Sequence, residues 1–332
     1  MAQIISTTDI ARRLGVAQST VSKVLGPHAD RYRIGEDLRQ RILTCAKELG
    51  YRPDLSKRAR ATRRTGMVGI LFASPSPTTH AVFEGLGVHA ADCLGRHGYR
   101  TCYLPAADWG EVRDRLAQHR VDGCLVLPHL PHAISDVRPP EAMPMVLLNT
   151  LADLAVPQVI TDDVQGVGLL VDHLVGLGHR RIIYADVIVR PFSHYSESWR
   201  ERGYHQALER HGLSAQVFRG TAEALVAHLE QEDFTAVITY DHHLALDLTR
   251  EVRLRKWPIP GRFSFACASD ISVGALVDPS WTAAKVPVGT MVARAVEELV
   301  AIMEGRKPIM HERIIIPQSM VVRESTGPCH RG

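Results

Sequence analysis

Residues 6–25 read STTDIARRLGVAQSTVSKVL, and this stretch decides the fold of the amino-terminal part of the chain. Ser6 and Asp9 stand at the spacing of a capping box, so the sequence predicts a helix that begins here. Leu14 continues an apolar stripe at helical spacing, and Gly15 suits the left-handed residue that ends such a helix.

A second short helix is predicted over residues 18–25, with Val21 and Leu25 on its inward face. The residues on its outward face are all hydrogen-bond donors or acceptors: Gln18, Ser19, Ser22 and Lys23. Two short helices joined by a glycine turn, with a polar outer face on the second, indicate a helix-turn-helix. A third helix over residues 36–49 completes a small all-α headpiece.

The charge is divided unevenly along the chain. Residues 1–64 hold fourteen Lys or Arg against six Asp or Glu, an excess of +8. The other 268 residues hold 25 basic against 30 acidic residues, a balance of −5. A basic head on a mildly acidic body indicates that one part meets a polyanion, whereas a merely solvated basic tail is the alternative.

The composition limits the class of protein. The chain has 332 residues, 45% of them apolar, which is enough for two or more ordinary domains. No run reaches the roughly 18 apolar residues of a membrane span. The start, MAQIIS, lacks a secretory pattern, so we expect a cytoplasmic protein. Six cysteines without a Cys-x-x-Cys pair argue against a disulfide framework or a zinc ribbon.

Short apolar or β-branched runs alternate with helical stretches through the rest of the chain. The runs are residues 67–72, 124–127, 145–148, 182–185, 236–240 and 263–268. The helical stretches include residues 82–97, 164–177 and 203–211. This alternation indicates parallel sheets covered on both faces, and the number of units predicts two α/β lobes. Because ligands bind beyond the carboxyl ends of such strands, we expect a site between the lobes.

A series of short motifs runs along nearly the whole chain. In the headpiece they are TDIA at 8–11, LGV at 14–16, TVSKVL at 20–25 and ELGYRP at 48–53. In the body they are TGMVGI at 65–70, VDG at 121–123, HLVGLGHRRI at 173–182, RERGY at 200–204 and VVRESTG at 321–327. Together, and in this order, they resemble the lactose-repressor (LacI/GalR) family of bacterial transcription regulators.

The resemblance implies a domain plan and a function. The plan is a headpiece at 1–52, a hinge at 53–64 and a two-lobed, periplasmic-binding-protein-like effector domain at 65–328, with lobe 1 at about 65–158 and 288–312 and lobe 2 at about 159–287 and 313–328. The implied function is that of a homodimeric repressor on a pseudo-palindromic DNA operator, nucleoid-associated and controlled by a sugar-like effector in the cleft.

The resemblance also implies which headpiece residues contact DNA. Gln18, Ser19 and Lys23 would read base edges, where Gln can pair with adenine through two hydrogen bonds and Lys can donate to guanine, each for about 1 to 3 kcal/mol of discrimination. The residues implied at the DNA backbone are Ser6, Thr20, Ser22, Arg31 and Arg33, although the two arginines can equally belong to a solvated loop. Ala17 stands where the family usually has a capping Ser, which leaves the second helix without a cap worth about 1 kcal/mol.

The hinge departs from the family. Lys57, Arg58 and Arg60 are implied to lie at the minor groove, and Arg60 stands where the family has a Leu that wedges between base pairs. An arginine suits a narrow, electronegative minor groove without deep insertion. The sequence therefore predicts a weaker operator bend than the family implies, unless Leu55 supplies the wedge in a shifted register.

We expect the Arg60→Leu variant to bend operator DNA more sharply than the wild type, because an apolar side chain unstacks a base step. Circularly permuted operator fragments in a gel-shift assay measure the angle. A strong kink already present with the wild type would contradict the expectation.

The implied effector residues are Arg200, Asp162, Asp241, Ser269, Asp270, Phe83 and Trp281. Arg200 matches the family's arginine for sugar hydroxyls or a carboxylate, with a surface salt bridge as the alternative. Asp162 can instead cap the following helix, and Phe83 and Trp281 can instead be core residues. Only part of the usual sugar-binding set is present, so the ligand is left open between an unusual sugar, a sugar acid and a small metabolite.

An enzyme and a transport-type binding protein are two other classes of protein, and each has sequence signatures of its own. The sequence has no metal-ligand spacing, no complete phosphate-binding fingerprint and no Gly-x-Ser-x-Gly elbow, so we expect no catalytic residue, metal or cofactor. A sugar-binding protein of the transport type with a non-specific basic head would share the two-lobed body. It would, however, need a signal peptide and would have no use for the head.

Overall fold

The computed structural model describes residues 5–25, 32–51, 64–73, 80–106, 114, 121–127, 143–187 and 194–329. The chain divides into two compact units, Met1–Thr65 and Gly66–Gly332. None of the described helices is both long and apolar enough to cross a bilayer.

The described residues of the first unit form three helices, α1 (Thr7–Leu14), α2 (Gln18–Val24) and α3 (Glu36–Glu48), which confirms the predicted headpiece elements. Its core consists of small and β-branched side chains from all three helices: Ile10, Ala11, Val21, Val24, Ile42, Cys45 and Ala46. Gly15 ends α1 with φ 66°, the left-handed conformation that the sequence predicts. No side chain caps α2 at Ala17, as expected from the missing hydroxyl.

The second unit alternates strands and helices. In chain order its first half comprises β1 (Met67–Ala73), α4 (His80–Arg96), β2 (Arg100–Ala106), β3 (Gly123–Val126), β4 (Met145–Leu148), β5 (Pro157–Thr161) and α5 (Asp163–Gly176). Its second half comprises β6 (Ile182–Asp186), α6 (Ser196–Arg210), β7 (Gln216–Arg219), α7 (Ala222–Gln231), β8 (Ala236–Thr239), α8 (His242–Leu254), β9 (Ser264–Cys267), β10 (Thr282–Lys285), α9 (Val288–Met303), β11 (Glu312–Ile316) and β12 (Ser319–Val321).

These strands form two six-stranded sheets. The first has the order β11-β5-β4-β3-β1-β2 and the second the order β12-β10-β9-β8-β6-β7. Every pair in the first sheet is parallel, and in the second only β12 runs antiparallel to its neighbour β10. Central strands such as β3 and β4 are buried throughout, as strands covered by helices on both faces must be. The predicted pair of α/β lobes is confirmed.

The chain crosses between the sheets later than the sequence indicates. Residue 159 lies inside β5 and residue 313 inside β11, and these two strands pair in parallel from Pro157 with Glu312 to Thr161 with Ile316. The lobe boundaries predicted at about 158 and about 312 fall within these strands, whose pairing extends the first sheet to Thr161 and Ile316. A third passage lies between β10 and α9, whose apolar face packs on the first sheet.

Helices α5 and α6 approach each other closely at one glycine. A Cβ atom on Gly203 of α6 would lie 2.4 Å from the carbonyl oxygen of Val164 and 2.9 Å from its Cα. These are backbone atoms of α5, so a side chain at position 203 could be accommodated only if one helix moved. The contact matters because α5 and α6 carry two of the charged groups described below.

We expect Gly203→Ala to destabilise the second unit by about 1 to 3 kcal/mol, because the added methyl overpacks a rigid backbone contact. The matched control is Gly176→Ala, at the exposed end of α5, where a Cβ meets nothing within 4 Å. That substitution should be neutral or stabilising by up to about 1 kcal/mol, since alanine favours helix. Urea unfolding of both variants measures the difference, and equal midpoints would contradict the close contact.

Candidate DNA-reading face and effector site

The amino-terminal end of α1 is fixed by a capping box. Asp9 accepts hydrogen bonds from the backbone N–H and the hydroxyl of Ser6 at 2.8 and 2.6 Å, and the Ser6 hydroxyl accepts one from the Asp9 N–H at 3.3 Å. These bonds from Ser6 lower the pKa of the Asp9 carboxyl. Ser6 is also a predicted DNA-backbone contact, and here its hydroxyl serves α1 itself.

The outward face of α2 is exposed. Gln18, Ser19, Ser22 and Lys23 all lie at the surface, whereas Thr20 is half-buried. The inward face is held by Val21 and Val24, which are almost fully buried. The helix-turn-helix therefore presents the predicted base-reading side chains to solvent, as contact with a DNA groove requires.

Two of these side chains are already oriented by neighbours. Gln18 donates from Nε2 to Thr7 Oγ1 at 2.8 Å and to Ser22 Oγ at 2.9 Å. The ammonium of Lys23 lies 5.1 Å from the ring centroid of Tyr32, at the distance of a cation–π contact. No local sequence signal points to Thr7 or Tyr32 as partners, because both contacts join residues of different elements.

The other predicted DNA contacts divide between described and undescribed residues. Arg33 is exposed beside Tyr32. Arg31 and the hinge residues Lys57, Arg58 and Arg60 lie outside the described residues, and their predicted roles remain predictions.

At the carboxyl ends of the strands, Arg200 of α6 forms a buried ion pair. Its Nε donates to Asp163 Oδ1 at 2.7 Å and its Nη1 to the carbonyl oxygen of Tyr240 at 2.7 Å, and the residue is 7% exposed. Burial lowers the pKa of the Arg200 guanidinium, but the charge and hydrogen bond of Asp163, together with Tyr240 and Tyr184, outweigh burial and leave that pKa raised. The residue is therefore a permanent cation whose charge is locally compensated.

Asp163 also connects two crossing segments, the ones after β5 and after β11, where the chain passes from the first sheet to the second. The hydroxyl of Thr161, at the end of β5, donates to Asp163 Oδ2 at 2.8 Å. Gln318, just after β11, donates from Nε2 to Thr161 Oγ1 at 2.8 Å and to Asp163 Oδ1 at 3.2 Å. Its amide packs over Gly166, where a Cβ would lie 2.0 Å from the Gln318 oxygen. One buried carboxylate thus joins both crossing segments to Arg200.

The three carboxylates among the remaining predicted effector residues have structural partners. Asp162 caps α5 through the Gln165 N–H at 2.9 Å, and Asp241 caps α8 through the Leu244 N–H at 3.0 Å. Arg323 donates to Asp270 at 2.8 Å. Trp281 is 1% exposed within the second-sheet core, and Ser269 is 4% exposed. The side chain of Phe83 lies outside the described part of the chain.

Three residues that the sequence did not single out bridge the two sheets. Asn149 follows β4, and its carbonyl oxygen accepts from His194 Nε2 at 2.8 Å while its side-chain oxygen accepts from the Tyr195 hydroxyl at 3.0 Å. Burial lowers the pKa of His194 and raises that of Tyr195, so both are neutral at pH 7. Asn149 stands directly after a predicted strand, which is the signal that could have identified it.

His242, the first residue of α8, adds a neutral polar group to this region. Burial and the neighbouring ring of His243 lower its pKa to about 4. Its Nδ1 is buried and has no hydrogen-bond partner among the described residues. The described residues contain no group of three His, Cys, Asp or Glu side chains that could hold a metal ion.

The chain combines a helix-turn-helix headpiece with a two-sheet effector unit that carries polar groups at its strand ends. This combination defines the class of ligand-controlled, DNA-binding transcriptional regulators. Two family models match, "Bacterial regulatory proteins, lacI family" over residues 6–54 and "Periplasmic binding protein-like domain" over residues 171–326. The chain belongs to the LacI family.

Similar proteins match along almost their whole length. The transcriptional regulator MalR of Streptomyces coelicolor is 27% identical, over 98% of each chain, and GalR of Escherichia coli is 26% identical, over 96% of this chain and 95% of its own. Both of these relatives are named as transcriptional regulators and not as enzymes. The fold is similar to a lac repressor dimer bound to operator and an anti-inducer, with a TM-score of 0.76, 19% identity and coverage of 98% and 100%. A CelR–cellobiose complex gives a TM-score of 0.67 at 22% identity, with coverage of 97% and 100%.

We expect Asp163→Ala to destabilise the second unit by about 3 to 5 kcal/mol, because it leaves the Arg200 guanidinium buried without a counter-charge. The neighbouring Asp162→Ala is the control and should cost only about 1 kcal/mol, the value of a helix cap. Urea unfolding of both variants measures these losses. Equal losses would show that the buried pair contributes nothing beyond a cap.

Proposed function

We propose that the protein is a cytoplasmic, nucleoid-associated repressor. It binds a pseudo-palindromic operator as a homodimer, one headpiece to each half-site, and an uncharged polyhydroxylated effector sets its affinity for that operator. The observation that carries the effector part is the buried Arg200–Asp163 pair at the ends of the parallel strands. Solved structures of similar fold include one described as a regulator with bound ribose and one as a cellobiose complex.

The DNA end of the proposal rests on the headpiece. The first 64 residues carry an excess of +8, and the exposed face of α2 carries neutral and cationic side chains but no carboxylate. Cationic groups neutralise phosphates and supply the affinity, while Gln18, Ser19 and Lys23 supply the choice of sequence.

The charges of the site residues compensate one another, and this determines which charge the effector can carry. Asp163 neutralises Arg200, Arg323 neutralises Asp270, and His242 is uncharged at neutral pH. A sugar acid would therefore bring a negative charge to a site in which both arginines already have carboxylate partners and in which Asp162 and Asp241 add negative charge, whereas hydroxyls need only donors and acceptors. Arg200 Nη2, which has no hydrogen bond among the described residues, and His242 Nδ1 are the groups we assign to such hydroxyls.

Coupling between effector and DNA would run through the crossing segments. Asp163 and Gln318 tie both segments to Arg200, so an effector held by Arg200 acts on the joints about which the sheets move relative to each other. An effector shifts the lobe arrangement only by its difference in affinity for the two arrangements.

A thermal-shift screen of neutral sugars and matched sugar acids tests the proposal. We expect a neutral sugar to raise the unfolding temperature and to change operator affinity in a titration, and we expect Arg200→Met to abolish both effects. A hit confined to sugar acids, or an effect that survives Arg200→Met, would contradict the assignment of the site.

The same titrations separate a regulator from a transport-type binding protein. Headpiece contacts to six to ten phosphates would lower operator affinity by roughly 10³- to 10⁵-fold between 50 and 200 mM salt. A transport protein with a basic head would bind DNA weakly and show no sequence preference at any salt concentration.

A further inference from the structure

The side-chain amide of Gln18 is held from two helices. Thr7, the first residue of α1, accepts from Gln18 Nε2 at 2.8 Å, and Ser22, one turn further along α2, accepts from the same nitrogen at 2.9 Å. Gln18 and Ser22 are exposed, and Thr7 is half-buried. We refer to these three residues as the Gln18 clamp.

The Gln18 clamp determines which hydrogen-bonding groups remain for a base. A glutamine amide carries two N–H donors on Nε2 and one acceptor oxygen, Oε1. Two hydroxyl partners occupy both N–H groups, so Oε1 is the group left to face DNA. Recognition of adenine through two hydrogen bonds needs an N–H for purine N7 as well as an oxygen for the exocyclic amine. Both N–H groups of Gln18 are already bonded within the clamp, so neither is available to purine N7.

We propose that Gln18 reads its base pair through Oε1 alone, by accepting a hydrogen bond from the exocyclic amine of adenine or cytosine. Thr7 is then a positioning residue, which sets the preference without touching the base. This inference rests on the proposed function, because it requires that α2 lies in the major groove of an operator. It replaces the two-bond contact with adenine that the residue type alone suggests.

The clamp also reduces the conformational entropy that the Gln18 side chain loses when the protein binds DNA. A free glutamine on an exposed helix samples many rotamers, and fixing it on binding has an entropic cost. Here the rotamer is selected before DNA arrives, by one bond within α2 and one from α1. The orientation of Oε1 therefore depends on the packing of α1 against α2.

The test begins with selection of an operator from a random DNA pool by the full-length protein. The base pair read by Gln18 is the one whose preference disappears in Gln18→Ala. At that pair, a base without its exocyclic amine should weaken wild-type binding roughly five- to tenfold. A 7-deazapurine, which lacks the N7 acceptor, should change it less than twofold.

The Thr7→Val variant tests the positioning role. It frees one N–H of Gln18, so binding should become several-fold sensitive to the 7-deazapurine at the same pair. Thr8→Val, the same chemical change at the next, exposed residue of α1, should leave the wild-type pattern unchanged. Unfolding midpoints show whether both variants keep the headpiece folded.

The outcomes separate this inference from the proposed function. A selected operator at which the 7-deazapurine weakens wild-type binding, or at which Gln18→Ala alters no base pair, would overturn the inference and leave the regulator intact. Thr7→Val without any change in analogue sensitivity would overturn the role of Thr7. The absence of any selected sequence would overturn the proposed function and the inference with it.

Discussion

A buried guanidinium must have its charge compensated where it lies, and the second unit is arranged around that requirement. Arg200 lies on α6, its counter-ion Asp163 begins α5, and its second acceptor is the Tyr240 carbonyl at the end of β8. These two hydrogen bonds fix two helices and the end of a strand relative to one another. The bare backbone contact at Gly203 allows α5 and α6 to come close enough for the pair to form.

The same carboxylate joins the buried ion pair to both segments that pass between the sheets. Thr161 and Gln318 bring the two crossing segments to Asp163. Asn149, His194 and Tyr195 form a second polar bridge between the sheets, and it meets the first where the Tyr195 hydroxyl accepts from the Thr161 N–H. A buried polar network whose members are all satisfied stiffens the region around it, since each unsatisfied member would be costly. A ligand bound at Arg200, as we propose, would contact a network that already spans both crossing segments.

Local signals in the sequence predicted much of the fold. The capping box at Ser6, the left-handed Gly15 and the buried runs of the central strands each depend on neighbours in the chain, and the structure confirms them. The crossing positions depend on pairing between β5 and β11, which are about 150 residues apart, and periodicity cannot show that pairing. In the site, adjacent Asp162 and Asp163 have the same local signature, but only Asp163 meets Arg200.

The Arg200–Asp163 pair also constrains how this sequence can diverge. Removing either partner first leaves a buried, uncompensated charge, whereas replacing both with well-packed apolar residues is often neutral in other proteins. The effect of each substitution then depends on whether the other has already occurred, which is epistasis between residues 37 positions apart. A lineage can abandon this arrangement only through a poorly folded intermediate or a simultaneous double change, so the pair is expected to be retained or lost as a unit.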